Sequence, residues 1–299
     1  MEFIGGNDGG AGVYGTPGNV SMPLYCGGDY WFYFTEIDLS TADISITRCY
    51  FELGLVGPDF SGLNENSTVF LADNVMTNNA LSGIYLGTFV GTKCIVKNNV
   101  FKNSSWADLY IDDYDFGIFP DLTSTKRAKF TITGNEFESA PGAISMYLRD
   151  YLIVTYPDNQ LLPQLFDIMG NSINTQEGGI GIQCLNSTDA KIWNNKFSGT
   201  GSMGVLVEGD EASSTYAENV KIMGNNFMNA AYADATVSLG TYSKNCMVVG
   251  VATDNIVDLG VNNKIIGVKA QKKGPHHSGM QGHLKSMQEN MMKMRPSKP

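Results

Sequence analysis

One six-residue pattern recurs along this chain and leaves few folds open: an aliphatic residue, two variable residues, Asn, one variable residue, an apolar residue. It stands as Ile132-Thr133-Gly134-Asn135-Glu136-Phe137. It returns at Leu71 to Met76 around Asn74, Ile95 to Val100 around Asn98, Ile168 to Ile173 around Asn171, Ile192 to Phe197 around Asn195, and Ile222 to Phe227 around Asn225. An earlier copy, Ile46 to Phe51, carries Cys49 in place of Asn. From Cys49 onward, successive copies lie 25, 24, 37, 36, 24 and 30 residues apart. A unit of about 24 residues lengthened by insertions is how a stacked solenoid reads in sequence.

Nine to twelve residues after each Asn comes a short alternating run: Ile84-Tyr85-Leu86, Leu109-Tyr110-Ile111, Ile144-Ser145-Met146, Ile180-Gly181-Ile182, Val205-Leu206-Val207 and Val237-Ser238-Leu239. Period-two alternation in segments of about three to five residues predicts strands, at least two per repeat, with Gly, Asn and Ser turning the chain between them. The pattern excludes helix for the repeats.

These copies resemble the coil motif of the right-handed parallel β-helices of the pectate-lyase-like superfamily, over Asp43 to Val268. The resemblance implies an all-β, single-stranded solenoid of roughly eight to nine coils, with strands one coil apart pairing in parallel about 4.8 Å apart. Asn74, Asn98, Asn135, Asn171, Asn195 and Asn225 then stack at an inward turn as an amide ladder. The core columns follow as Ile46, Leu71, Ile95, Ile132, Ile168, Ile192, Ile222 and Phe51, Met76, Val100, Phe137, Ile173, Phe197, Phe227. Such coils carry many unrelated functions, so the resemblance specifies the fold better than the chemistry.

Three segments are expected. Residues 1–42 are first partial coils, in which Ile4-Gly5-Gly6-Asn7 matches half the motif and Tyr30 to Phe34 is an aromatic strand. Residues 43–268 are the β-helix. Residues 269–299 form a basic, Met-rich tail in which Met280, Leu284, Met287, Met291 and Met294 have the spacing of a short amphipathic helix. That tail holds seven Lys or Arg against one acid, Glu289; the chain as a whole is at −10, so residues 1–268 carry −16. An acidic body disfavours nucleic acid and anionic lipid as its partner and suits a neutral or cationic ligand, Ca²⁺ included. No run of eighteen apolar residues is present, so no membrane span is expected, and the first residues do not resemble a signal peptide. Five Cys without a C-x-x-C spacing signal neither a disulfide framework nor a zinc site.

The long insertions follow the alternating runs, at Asp112 to Lys126, Arg149 to Gln164 and Glu208 to Glu218, and are expected to build a wall along one edge. Counting three residues from the first apolar of successive runs gives Asp112, Tyr147, Gln183 and Glu208; three further on stand Asp115, Asp150, Asn186 and Glu211. Two carboxylates about one rung apart, Asp115 and Asp150, could share a proton, bind Ca²⁺, or act as acid and base on a glycosidic bond. Arg149 or Lys126 is then the candidate base or charge stabiliser. Asp112, Tyr147 and Glu208 line the groove, with Tyr147 as a stacking platform. Equally, these are solvated surface acids. The motif sets of polygalacturonase-like hydrolases and of epimerases of this superfamily are missing, and all three His (276, 277, 283) lie in the tail. Two functions stay open: a monomeric extracellular or surface module that binds, and in one version degrades, polysaccharide; and a non-catalytic structural or adhesive β-helix of a larger surface protein.

Overall fold

The computed structural model describes residues 2–4, 30–34, 43–54, 56–63, 67–88, 91–112, 126–150, 162–251 and 256–266. The basic tail with its expected helix, most of residues 1–42 and the larger part of the two longest insertions lie outside these. Among the described residues every regular element is a strand, and the main sheets are wholly parallel, of eight, nine and nine strands. The chain is a right-handed parallel β-helix with about as many coils as the repeats predict.

Each coil contributes three strands, because the repeated hexapeptide straddles a corner and so supplies two of them. Its aliphatic residue is the next to last of a strand of an upstream sheet, such as Lys129–Thr133; its Asn turns the corner; its last apolar residue is the centre of a downstream strand, such as Glu136–Glu138. The alternating run then forms a third, broad sheet, whose strands include Ala107–Asp112, Ile144–Arg149, Ile180–Leu185 and Met203–Glu208.

The corner has a fixed grammar. The residue immediately before each ladder position is left-handed: Asp73 (φ 57°), Asn98 (53°), Gly134 (67°), Gly170 (65°), Asn194 (53°) and Gly224 (63°). Gly, Asn and Asp adopt that region at least cost, which is why they hold this place in the repeat. The ladder residue that follows turns inward. Asn99, not Asn98, is the ladder member of its coil: Asn99 is buried, its Nδ2 donates to Asn135 Oδ1 at 3.0 Å, and Asn98 is the exposed left-handed residue before it. The core columns shift with it, since Val96 faces Ile132 and Phe101 faces Phe137 in place of Ile95 and Val100. The other expected columns stand. Cys49 starts the ladder, its backbone N–H donating to Asn74 Oδ1 at 2.9 Å.

Inside, like residues stack on like: Phe101 on Phe137 with centroids 4.7 Å apart, and Phe197 on Phe227 at 4.3 Å. The broad sheet approaches these rings closely where its strands begin. A Cβ on Gly83 would lie 2.8 Å from the Phe101 ring, and one on Gly181 3.0 Å from that of Phe197. The four described cysteines are free.

Candidate functional site

The broad sheet carries the sequence-predicted residues. In most of its strands alternate side chains fill the solenoid interior, and the others should meet solvent. They do not. Both faces of Ala107–Asp112 are buried, and the outward residues Val56, Tyr85, Trp106, Ala107, Tyr110, Ile144, Tyr147, Ile180, Met203 and Leu206 form a second apolar cluster separate from the interior core.

Parallel register sorts this face into columns. Tyr85, Tyr110, Tyr147, Gln183, Leu206 and Ser238 follow one another rung by rung. Beside them run Gly87, Asp112, Arg149, Leu185 and Glu208. The expected single column of Asp112, Tyr147, Gln183 and Glu208 is therefore two columns. Leu109 and Val205 are each two residues into strands that begin at Ala107 and Met203, whereas Ile144 and Ile180 begin theirs, so equal counting from the first apolar residue slips by one pleat. Asp112, Arg149 and Glu208 do share a column, so the three insertions depart from one line.

The aromatic column is tightly built. The Tyr110 and Tyr147 centroids are 5.1 Å apart, and the Trp106 ring lies 4.5 Å from Tyr110 and 4.9 Å from Tyr147. Tyr147, the expected stacking platform, is 2% exposed. Tyr110 Oη donates to Asp112 Oδ2 at 2.7 Å, and burial together with that carboxylate holds the phenol well above its ordinary pKa. Arg149 Nη1 approaches the same oxygen at 3.8 Å. Asp112 is 1% exposed, and the guanidinium and the phenol both favour a carboxylate there. Glu208 Oε1 accepts the Tyr242 backbone N–H at 3.0 Å, fastening the insertion of its own coil to the next.

Asp150 follows Arg149 and is fully buried. Its Oδ1 accepts the Gln164 N–H at 3.0 Å, and burial pushes its pKa up to about 7 against the lowering effects of Gln164 and Arg127. Arg127 itself is held by Asp189 at 2.7 Å and by the Pro163 carbonyl at 2.6 Å. Asp115 lies outside the described residues, and no group of three or more His, Cys, Asp or Glu able to hold a metal ion occurs among the described ones. Asp112 and Glu208, the two carboxylates sharing an outward column, are three rungs apart, about 14 Å at 4.8 Å per rung. That exceeds the separation of roughly 5–10 Å at which two carboxyls flank one glycosidic bond.

Three residues of this face were not singled out from the sequence: Tyr85, Trp106 and Tyr110. Tyr85 and Tyr110 occupy the centre of their alternating runs and Tyr147 directly follows its own, and that recurrence was the available signal. Trp106 had none, whereas Gln183 was placed by its count along its run. Gln183 is fully buried, and neither its Oε1 nor its Nε2 has a partner among the described residues.

Residues 30–155 match the family described as right handed beta helix region. The parallel sheets continue the same architecture to Ile266. No curated protein and no solved structure matches the chain. Among the described residues no helix is long and apolar enough to cross a membrane.

Proposed function

We propose that this β-helix is a non-catalytic structural or adhesive module of a surface protein, rather than a polysaccharide-cleaving enzyme. One observation carries this reading: the described charged groups among the candidates, Asp112, Arg149, Asp150 and Glu208, are engaged in holding the sheet together. Asp112 is bonded to Tyr110 and approached by Arg149, Glu208 to the Tyr242 backbone, Asp150 to Gln164. The aromatic residues between them are buried among one another, which serves stability in the manner of a core. A general acid needs a proton partner within hydrogen-bond reach of the substrate, and a stacking platform needs an open face. Neither condition favours the enzyme reading here.

The test is a screen of neutral and acidic polysaccharides for new reducing ends, with and without Ca²⁺ and across pH 4 to 9. The module reading expects none. Steady release of reducing ends, abolished by Asp150→Asn, would replace it with a hydrolase.

A further inference from the structure

The interior column that runs through the upstream sheet is open at both ends. It passes from Ile46 through Leu71 and Ile132 to Val248 and Ile265, one residue per rung. From Leu71 to Val248 its side chains are at most 1% exposed, whereas Ile46 and Ile265 are only partly buried, as is Ile44 beside Ile46. The strands that bear them, Asp43–Thr47 and Lys264–Ile266, are the two edges of that sheet. Successive residues of a strand point their N–H and C=O toward opposite neighbours. Arg48 N–H donates to the Ala72 carbonyl, so Asp43, Ser45 and Thr47 point out of the sheet; Lys264 N–H donates to the Cys246 carbonyl, so Ile265 points out at the other end. Such edges are templates for pairing with another chain.

Charge is divided along the chain in the same sense. Residues 1–47 hold six acids, Asp43 of the first edge among them, and neither Lys nor Arg. Residues 269–299 hold seven Lys or Arg against one acid, and Lys264 stands on the last edge itself. Extending the register by one rung places Ile265 of one copy on Ile46 of the next, which closes the interior column across the junction. It also places Lys264 on Ser45, from where a long side chain reaches Asp43 two residues along. The Ile265 N–H and C=O then meet the Ser45 C=O and the Thr47 N–H, the pairing of a parallel ladder.

We infer that this chain stacks head to tail on copies of itself, the edge Lys264–Ile266 of one copy pairing in parallel with Asp43–Thr47 of the next, so that one β-helix continues through both. Head-to-head or tail-to-tail contact would bring like charges together. The contact joins two different surfaces along one axis and does not close on itself, so its product is an open rod rather than a fixed dimer. The inference extends the structural side of the reading above and replaces the expected monomer with a self-associating chain. It does not depend on the absence of catalysis: release of reducing ends would overturn that reading and leave the stacking in place.

The experiment follows the full chain by sedimentation velocity as its concentration is raised, at low and at high salt, with electron microscopy of the products. Wild type is expected to form a series of species that grows without a fixed end point, seen as rods of constant width, and to shorten as salt screens the end charges. Asp43→Lys or Lys264→Glu alone should weaken association about five- to ten-fold, and the two together in one chain should restore it. Ser45→Pro removes an N–H that points out of the sheet and spares the pairing with Thr68–Ala72, so it should stop growth without changing the circular dichroism spectrum. Lys221→Glu, on the same outward column as Lys264 but inside the sheet, should associate like wild type. A chain that stays single at every concentration, a dimer of fixed mass, growth that salt and the single reversals leave unchanged, or reversals that fail to rescue each other overturns the inference.

Discussion

Asn135 presents both its backbone N–H and its side-chain Nδ2–H to a single acceptor, Asn171 Oδ1, at 2.9 and 3.0 Å. Its own Oδ1 accepts the same two groups from Asn99, at 2.8 and 3.0 Å, and its Nδ2 also reaches the Val96 carbonyl at 2.9 Å. This unit repeats from Asn74 to Asn225 and satisfies, at every coil, polar groups that the corner would otherwise bury without partners.

Removing one rung tests the register as well as the energy. Asn99→Leu should cost several kcal/mol, at about 1–3 kcal/mol for each orphaned buried group. Asn98→Gly, one residue earlier, should be nearly neutral, because Gly adopts the left-handed φ of 53° without penalty. Chemical denaturation of both variants measures the difference. Equal effects would contradict the assignment of Asn99 to the ladder.

The Asn98-Asn99 doublet also shows why the sequence was legible to within one residue and no further. Ile95 and Val96 are both aliphatic, Val100 and Phe101 both apolar, so either frame satisfies the pattern. What separates them is the demand for a left-handed residue before the ladder, a three-dimensional condition that the hexapeptide does not display. The outward aromatic cluster was illegible for a related reason. Alternation reports which residues share a face, while the burial of Tyr110 and Tyr147 depends on what lies over that face.

A buried acid near the opposite corner gives the fold a pH dependence. Asp108 is fully buried, accepts the Ser139 hydroxyl at 2.7 Å, and is pushed by burial from an ordinary 3.8 up to about 7. The folded chain therefore keeps this proton after the unfolded chain has lost it. Stability from this group is full below pH 3.8 and is lost as pH rises through about 7. Asp150 adds to the loss with the same sign. Asp108→Asn should flatten the decline between pH 4 and 7 by roughly 2–4 kcal/mol, read from denaturation midpoints at each pH. A wild-type protein that gains stability over that interval relative to the variant would contradict the assignment.

The Asp112–Arg149 contact should behave as a half-buried ion pair. Arg149→Met leaves the Asp112 charge with less compensation and should cost about 2–4 kcal/mol. Asp112→Asn in the same chain should return part of that loss, because the stranded charge is gone. A double-mutant cycle measures the coupling. Strict additivity would mean that the 3.8 Å approach contributes nothing.

The outward aromatic face is either a second core or a ligand platform, and Trp106 decides between them. It is 7% exposed and packs on both Tyr110 and Tyr147. The most direct measurement is the unfolding free energy of Trp106→Ala, alongside its glycan binding. A structural face predicts a loss of about 3–5 kcal/mol, as for a large aromatic removed from a core, with no change in how the folded variant behaves toward polysaccharides. Wild-type stability combined with lost glycan binding or turnover would contradict the account and return this face to the role of a binding site.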